Sequence, residues 1–340
     1  MLKRIWCMLI CGLLILSTFS GCKKEEVVFS YNGENSGTTC GNIMMGRGRF
    51  AYSDGCIYFY GGSGICEYNL ETGKTVCLQG IGNEFTTVYL SDDFIYILKD
   101  DSFSNPDESG YSLIAVTKDG RSQETLFHWE NMVNRSYLDG MELYNWYDGN
   151  LCRQNLETGE EECLISSVGG FYLDSEYIYV LGKGEDGDIL YRSPRQQIQF
   201  ESIQLPFDPH AFLPWEGQIF LTGKDSKGFY VVLYKDGEVT RLPVSSGKYQ
   251  VLDDHLIYLD TADDVPNYSA LKSYNLKTGE IKLLNSNASY GHGVSILEER
   301  YICFAVLREN ESSKGTYYPL YTYYDWQTGE MKQMYPKKEK

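Results

Sequence analysis

The sequence predicts an all-β fold, a β-propeller, carried behind an export leader. Three observations predict it. Two short strand motifs alternate along the chain, and they recur at a spacing of about 40–45 residues, which is typical of propeller blades. The chain is also rich in aromatic residues, with 29 tyrosines among 340 residues, and β-sheet faces accommodate such side chains well. No segment shows sustained helical periodicity.

The first 21 residues have the features of an export signal. Two basic residues precede an apolar run over 5–19, which is too short for a comfortable membrane span. Small residues then lead into Cys22, a pattern that resembles the cleavage box of bacterial lipoproteins. The resemblance implies cleavage before Cys22 and lipid on its thiol and new amino group, which would hold the protein on the outer face of the cytoplasmic membrane. The alternatives are an uncleaved anchor and an ordinary signal peptide.

The rest of the chain divides into a tether, a body and a tail. Residues 22–42 are polar and contain several glycines, so they predict the lipidated cysteine and a flexible tether. The predicted propeller occupies 43–335, and a charged tail follows at 336–340. The formal net charge of −17 argues against nucleic acid as a partner, since nucleic-acid binding needs a basic surface.

The first repeated motif is an acidic turn followed by a short strand rich in Ile and Tyr. Clear copies lie at 54–59, 92–97, 174–179 and 253–258, and weaker copies lie at 139–144, 216–220 and 298–302. Alternating apolar residues after a turn signal are typical of half-buried strands.

The second motif is a hairpin turn of the form Asn-Leu-x-Thr-Gly, and it follows the first motif in several units. Copies lie at 69–73, 155–159 and 275–279, a variant lies at 325–329, and shorter Asp-Gly turns lie at 119–120 and 236–237. Glycine closes such turns because it adopts a left-handed backbone without steric cost.

Together the motifs define seven units of four short strands each. Their approximate bounds are 43–80, 85–128, 133–166, 169–205, 210–244, 248–285 and 291–335. A propeller of seven four-stranded blades is therefore expected. A six-bladed ring with one unit divided wrongly and a pair of β-sandwiches are the alternatives.

The Asp-x-x-Ile-Tyr strand followed by the Asn-Leu-x-Thr-Gly hairpin resembles bacterial lipoprotein β-propellers of the DUF5050 kind, which are distantly similar to receptor propellers with YWTD repeats. The resemblance covers roughly 43–335. It implies a fold and supplies no catalytic residues, because the shared motifs are structural.

Two pairs of cysteines flank equivalent hairpins. Cys66 and Cys77 flank the first Thr-Gly turn, and Cys152 and Cys163 flank the third at the same separation. Counting outward from the turn places each pair directly opposite, where the Cα distance of about 4.5 Å allows a disulfide. Export permits oxidation, so two cross-strand disulfides are expected, with two reduced pairs as the alternative. The remaining body cysteines, Cys40, Cys56 and Cys303, are expected to be buried.

Loops on one face of a propeller are the expected binding surface, because variable loops on a rigid scaffold usually carry function. The loops between the second and third strands are long and polar at 99–110, 260–268 and 308–317. The turns that lead into each first strand carry cationic or titratable residues, which are Arg47, Arg135, His210, Lys248 and His292. Three aromatic residues are expected beside them as stacking platforms for a sugar, and these are Trp129, Trp215 and Tyr290. The alternative is that all of these are ordinary solvated loop residues.

No signature of an enzyme, a metal site or a cofactor is found. The chain has four histidines, and it lacks the Gly-x-Ser-x-Gly, His-Glu-x-x-His and phosphate-loop patterns. The acidic turn at 185–188 is expected to be solvated, because calcium needs more oxygen ligands than it offers. The sequence therefore favours a binding or scaffold protein for an envelope glycan, an acidic small molecule or a protein partner. A glycosidase or lyase that uses paired carboxylates is the alternative.

Overall fold

The computed structural model describes residues 36–61, 64–78, 85–101, 110–184, 187–205, 207–261, 268–309 and 317–334. The predicted leader, Cys22, most of the predicted tether and the tail at 336–340 lie outside these ranges. So do most of the long loops predicted at 99–110, 260–268 and 308–317. Within the described ranges, no helix combines the length and the apolar character needed to cross a bilayer.

The strands follow one another as antiparallel sets of four. The first three sets are β1 (Phe50–Ser53), β2 (Cys56–Tyr60), β3 (Ile65–Asn69), β4 (Thr75–Cys77); β5 (Phe85–Leu90), β6 (Phe94–Asp100), β7 (Tyr111–Thr117), β8 (Gln123–Trp129); and β9 (Val133–Asp139), β10 (Glu142–Tyr147), β11 (Asn150–Asn155), β12 (Glu161–Ser166). The fourth and fifth are β13 (Val168–Leu173), β14 (Tyr177–Gly184), β15 (Gly187–Pro194), β16 (Glu201–Ile203); and β17 (Ala211–Trp215), β18 (Gln218–Asp225), β19 (Gly228–Lys235), β20 (Glu238–Arg241). The last two are β21 (Tyr249–Leu252), β22 (His255–Thr261), β23 (Tyr268–Asn275), β24 (Ile281–Ser289); and β25 (Val294–Leu297), β26 (Tyr301–Glu309), β27 (Tyr317–Asp325), β28 (Met331–Gln333).

Within each set the strands pair in chain order, so each set is a simple meander. Among the described residues, the first five sets form separate four-stranded sheets. The last two share one larger sheet, because Ala288 of β24 pairs with Val306 of β26. The sequence motifs thus predict the strands well, and the predicted number of seven blades stays a prediction because these two sets are joined.

The repeated Thr-Gly motif is a structural device of the hairpin. In the turn after β3, Asn69 accepts a hydrogen bond from the Thr72 backbone at 2.8 Å, and the Thr72 hydroxyl accepts one from the backbone of Lys74. Gly73 then takes a left-handed φ of 66°. The same bonds recur in the turns at 155–160, 275–280 and 325–330. The motif therefore reports on the fold and not on a ligand.

A short buried helix, α1 (Cys40–Gly46), fills the middle of the ring of sheets. It contacts β9, β13, β21 and β25, each of which is the first strand of its set. These first strands are therefore the innermost ones. The helix is about 10 Å long, and Thr39 caps its N-terminus by accepting a hydrogen bond from the backbone of Asn42 at 3.2 Å.

The residues just before α1 are also part of the body. Gly37 accepts a hydrogen bond from the backbone of Tyr52, and Ser36 accepts one from the backbone of Leu90, so the segment bridges β1 and β5. A Cβ at Gly37 would lie 2.8 Å from the Tyr52 carbonyl oxygen, which leaves room only for glycine. Residues 36–42, which the sequence analysis assigns to the tether, therefore pack against the ring, and all of them except the exposed Thr39 are buried.

The ring has two edges. The start edge is where the first strand of each set begins, and the turn edge is the opposite one, where a turn connects the first strand to the second. The chain passes Ser36 at the turn edge, beside the last residues of β1 and β5. Because α1 contacts Leu173 near its first residue and Val294 near its last, it runs from the turn edge to the start edge.

The first and last sets close the ring by packing. One cluster of buried side chains joins them, with Phe59 and Cys66 from the first set and Cys303, Tyr323 and Met334 from the last. The Thr75 hydroxyl also donates a hydrogen bond to the Met334 carbonyl oxygen. Among the described residues no strand of one set pairs with a strand of the other, so these contacts stabilise the closure.

The two predicted cross-strand disulfides have different outcomes. Cys66 and Cys77 lie opposite each other in β3 and β4 and form a disulfide. Cys152 and Cys163 also lie opposite each other in β11 and β12, but both are free thiols. The pairing register shifts immediately before Cys152, and such an irregularity changes the strand geometry that a disulfide requires.

The three remaining body cysteines are buried, as the sequence predicts, and the structure shows them as free thiols. Cys40 lies on α1, and its sulfur accepts a hydrogen bond from the backbone of Leu173 at 3.2 Å. Cys56 and Cys303 face different seams of the ring, since Cys56 packs toward the second set and Cys303 toward the first. Burial raises the pKa of the Cys40 thiol to about 12, so it is not a reactive nucleophile at neutral pH.

Candidate anion-binding site

Five basic side chains meet at the start edge, around the end of α1. Arg47 and Arg49 lie between α1 and β1, and Arg135 is the third residue of β9. Lys248 immediately precedes β21, and His292 lies in a short 3-10 helix just before β25. We call these five residues the cationic cluster. The meander topology brings them together, because every first strand begins at this edge.

Burial and then repulsion lower the pKa values of four members of the cationic cluster, Arg47, Arg135, Lys248 and His292. Burial, followed by the charges of Arg47 and Arg49, lowers the pKa of Arg135 to about 10. Burial and then Arg47, Arg135 and Arg49 lower the pKa of Lys248 to about 8. Burial and then Arg49, Lys248 and Arg47 lower that of His292 to about 4. At neutral pH, His292 is therefore neutral and the other four carry charge.

No ion pair compensates these charges among the residues that the structure describes. The Arg135 guanidinium donates to the backbone carbonyl oxygen of Asn134 at 2.6 Å, and Arg49 donates through Nη1 to the Tyr321 hydroxyl at 3.4 Å. The Nε–H of Arg49 is buried and has no hydrogen-bond partner in the described part of the chain. Buried donors are normally satisfied, so an unpartnered guanidinium nitrogen in a group of cations is a position that an anion would fill.

Aromatic residues border the cationic cluster. The Lys248 ammonium lies 5.2 Å from the centre of the Tyr290 ring, and the His292 ring meets Tyr321 edge-on at 6.0 Å. Tyr290 is half-buried, so it presents both an apolar face and a hydroxyl beside the charges. Three guanidinium groups and one ammonium can bind carboxylate or phosphate oxygens, and guanidinium does so with two parallel hydrogen bonds.

The structure brings together most of the basic residues that the sequence singled out. Arg47, Arg135, Lys248 and His292 affect one another's pKa values, and Tyr290 lies beside them. Their role in ligand binding stays a prediction. Arg49 is not among the residues predicted for this edge, although the Arg47-Gly48-Arg49 spacing directly before β1 is a sequence signal for it.

Three predicted residues do not join the cluster. His210 is exposed, and its ring packs edge-on against Phe229 at 6.0 Å. Trp129 is 8% exposed and packs on Phe127, so it offers little surface to a ligand. Trp215 is the last residue of β17 and lies at the turn edge, opposite the cluster. The predicted position of Trp215 beside the cations is wrong. Strand β17 begins at the start edge, and its five residues carry Trp215 to the opposite edge.

The turn edge carries negative charge, whereas the start edge carries the positive charge of the cationic cluster. Its turns carry acidic residues in the left-handed region, including Asp54, Glu216, Asp253, Glu298 and Glu299. Cations thus meet at one opening of the ring and carboxylates surround the other. In an acidic protein, the start edge is where an anion would be attracted.

The comparisons with known proteins support the fold and no more than that. No family model matches the chain, and no curated protein matches it either. The DUF5050 resemblance therefore stays a prediction. Solved structures do match, at low sequence identity.

Three solved structures illustrate the likeness. The β-propeller domain of the Trilobed protease from Pyrococcus furiosus has a TM-score of 0.55 at 13% identity, and the match covers 84% of this chain and 94% of that one. TolB from Acinetobacter baumannii has a TM-score of 0.50 at 13% identity, over 83% and 77% of the two chains. The acylaminoacyl peptidase from Pyrococcus horikoshii has a TM-score of 0.51 at 12% identity, over 83% of this chain and 50% of that chain.

Identities this low carry no catalytic or ligand residues from one protein to another. The chain has the fold of a β-propeller.

Proposed function

We propose that this chain is an exported, lipid-anchored propeller that binds an acidic ligand through the cationic cluster. The observation that carries the proposal is the meeting of three guanidinium groups and one ammonium group without a carboxylate partner among the described residues. Like charges that are partly buried together destabilise a fold. This chain has an excess of acidic residues, yet no described carboxylate pairs with the cationic cluster. The unpaired charges therefore support an anionic ligand that neutralises them.

The chemistry of the cluster favours an oxyanion with more than one charge. Arg49 and Arg135 offer guanidinium forks that match carboxylate and phosphate oxygens. Lys248 adds a point charge, and Tyr290 adds an apolar face next to it. Such a site suits an acidic small molecule or a carboxylated stretch of an envelope glycan. A protein partner would have to present an acidic side chain to the same opening.

The described chain enters the propeller at the turn edge, where Ser36 accepts a hydrogen bond from the backbone of Leu90. The cationic cluster lies at the opposite, start edge. The proposed lipidation residue, Cys22, precedes Ser36 in the sequence.

The proposal is tested by calorimetric titration of the full protein, purified in detergent, with inorganic phosphate, citrate and a trigalacturonate. We expect saturable binding of at least one of these anions. Replacing two guanidiniums, Arg49→Gln with Arg135→Gln, should weaken it about 100-fold, because each charge-assisted hydrogen bond contributes about 1.5–3 kcal/mol.

A control variant carries the same change in charge at exposed sites, Arg121→Gln with Lys235→Gln, and should bind as the unmodified protein does. Equal weakening in both variants would reduce the effect to general electrostatics and contradict the proposal. Failure of all three anions to bind would also contradict it. The runner-up, a carbohydrate-active enzyme, predicts that the trigalacturonate gains new reducing ends during the titration, and their appearance would overturn the binding-only function.

A further inference from the structure

The turn edge contains a second concave site, separate from the cationic cluster. A cavity of about 580 Å³ opens there, which is within the range of small-molecule sites. Its walls are the last residues of four neighbouring inner strands, and Thr39 at the start of α1 forms part of its floor. Its aromatic and polar lining includes Tyr172, Trp215, Glu216, Gln250, Asp253, Glu298 and Glu299.

The wall of the cavity combines two aromatic rings with a buried amide. Trp215 and Tyr172 are both half-buried and line it, and the Tyr172 hydroxyl makes no hydrogen bond with a described residue. Gln250 is 5% exposed. Its Nε2 donates to the Val294 carbonyl oxygen at 3.5 Å, while its side-chain oxygen accepts nothing from the described part of the chain. Because Gln250 lines the cavity, a ligand N–H inside the cavity would satisfy this acceptor.

The rim of the cavity is acidic. Glu216, Asp253, Glu298 and Glu299 line it, and no lysine or arginine is among its described lining residues. Asp253 accepts a hydrogen bond from the Trp326 indole at 3.1 Å. The three glutamates take part in no ion pair or hydrogen bond with described residues. The rim thus attracts positive charge and leaves three carboxylates available to hold it.

The spacing of these groups favours an organic cation over a metal ion. No set of three acidic, histidine or cysteine side chains in the described ranges is close enough to ligate a metal. An ammonium group instead satisfies every feature present: its N–H groups donate to an amide oxygen and to carboxylates, and its charge is stabilised over an aromatic face. Carboxylates spread around a rim match several ammonium groups along one flexible molecule.

We propose that the cavity at the turn edge binds a linear polyamine. One ammonium group enters the cavity, donates to the side-chain oxygen of Gln250 and lies against Trp215. The remaining ammonium groups extend to Glu216, Glu298 and Glu299 at the rim. The site is independent of the cationic cluster, which lies at the other end of α1 and has the opposite charge, so an anion that fails to bind there leaves this inference intact.

The test is a titration of the full protein in detergent with spermidine, followed by tryptophan fluorescence and calorimetry at an ionic strength of about 0.15 M, where long-range attraction is screened. We expect saturable binding with a change in fluorescence. Glu216→Gln with Glu298→Gln and Glu299→Gln should weaken it about tenfold or more, because each lost carboxylate removes a charge-assisted hydrogen bond. Gln250→Leu should weaken it as well, with the fold checked by circular dichroism.

A matched control removes the same charge elsewhere. Glu157→Gln, Glu201→Gln and Glu238→Gln are exposed positions outside the cavity, and this variant should bind spermidine as the unmodified protein does. Equal weakening in the control would show diffuse attraction to an acidic protein and overturn the proposal. So would the absence of saturation, displacement of spermidine by equimolar calcium, or tighter binding of a tetralysine peptide than of spermidine, since that last result would indicate a protein partner.

Discussion

The side chain of Asn42 pairs with the backbone of Ile296 as a neighbouring strand would. Its Nδ2 donates to the Ile296 carbonyl oxygen and its Oδ1 accepts from the Ile296 amide nitrogen, both at 2.7 Å. Asn42 is on α1 and wholly buried, and Ile296 is in β25. The pair therefore fastens the first turn of the central helix to an inner strand of the last set.

Asn42→Ala should destabilise the protein by about 2–4 kcal/mol, because it leaves the backbone donor and acceptor of a buried strand unpaired. Urea unfolding at neutral pH measures this loss. The control is Asn150→Ala, which removes one solvent-facing hydrogen bond to the Asp148 carbonyl oxygen and should cost much less. Similar losses in the two variants would mean that α1 is not held by this pair.

Removing one charge from the cationic cluster should stabilise the protein. In the folded state burial and neighbouring cations lower the pKa of Lys248 from 10.5 to about 8, so below pH 8 its protonated form opposes folding. Lys248→Met should raise the free energy of unfolding at pH 7 by about 1–3 kcal/mol, after allowance for solvent screening.

The pH dependence of this effect has a definite sign. Between about 8 and 10.5 the unfolded chain holds a proton on Lys248 that the folded chain has released, so the penalty of the lysine fades as the pH rises. The difference in stability between Lys248→Met and the unmodified protein should therefore shrink across that window. Exposed Lys235→Met should show no such difference, and a destabilised Lys248→Met would contradict the proposed repulsion.

Anion binding should weaken as the pH rises through 8. The arginines stay charged, but Lys248 loses its proton near this value. A bound anion favours the protonated lysine, so binding at pH 8.5 should take up protons, and its heat should differ between buffers of different ionisation enthalpy. Lys248→Met should remove that buffer dependence. His292, with its pKa lowered to about 4, should leave the affinity flat between about pH 5.5 and 7.5.

Closure of the ring should depend on its apolar seam. Met334 is wholly buried between the first and last sets, whereas Met331, three residues earlier, is 39% exposed. Met334→Ala should destabilise by about 2–5 kcal/mol, as deletion of buried methylenes usually does, and Met331→Ala should be nearly neutral. Thermal unfolding compares them. Equal effects would mean that the seam is not what stabilises the closure.

The two cysteine pairs should respond differently to oxidation. Mass spectrometry after alkylation should find Cys66 and Cys77 joined and Cys152 and Cys163 free. Because the irregularity beside Cys152 changes the strand geometry that a disulfide requires, oxidised glutathione should modify the exposed Cys163 as a mixed disulfide and leave the pair unjoined. Cys163→Ser should remove this modification. A second disulfide between Cys152 and Cys163 would contradict the role given to the irregularity.

Much of the fold could be predicted from the sequence because its strands repeat. Each acidic turn predicts the start of a second strand, and each Thr-Gly turn predicts a hairpin whose hydrogen bonds are made locally by Asn69, Thr72 and their equivalents. The disulfide between Cys66 and Cys77 followed from the same local register. Features that depend on local geometry alone were therefore accessible.

The central helix could not be predicted, because its sequence contains two glycines and an asparagine and has poor intrinsic helix propensity. It forms because the ring buries it and Asn42 pairs with a strand 254 residues away. The free thiols of Cys152 and Cys163 depend on an irregularity in β11 that no residue type signals. Arg49 was not predicted because only one residue was taken from each turn that leads into a first strand, and in the first set that residue was Arg47.

The central claim, an oxyanion held by the cationic cluster, is tested most directly by a crystal structure grown with selenate, whose anomalous scattering locates the anion. The account predicts a selenium peak within hydrogen-bonding reach of the guanidinium groups of Arg49 and Arg135, and its loss in crystals of Arg49→Gln with Arg135→Gln. Selenate found only on exposed lysines, with the cluster unchanged and unoccupied by anion, would contradict it.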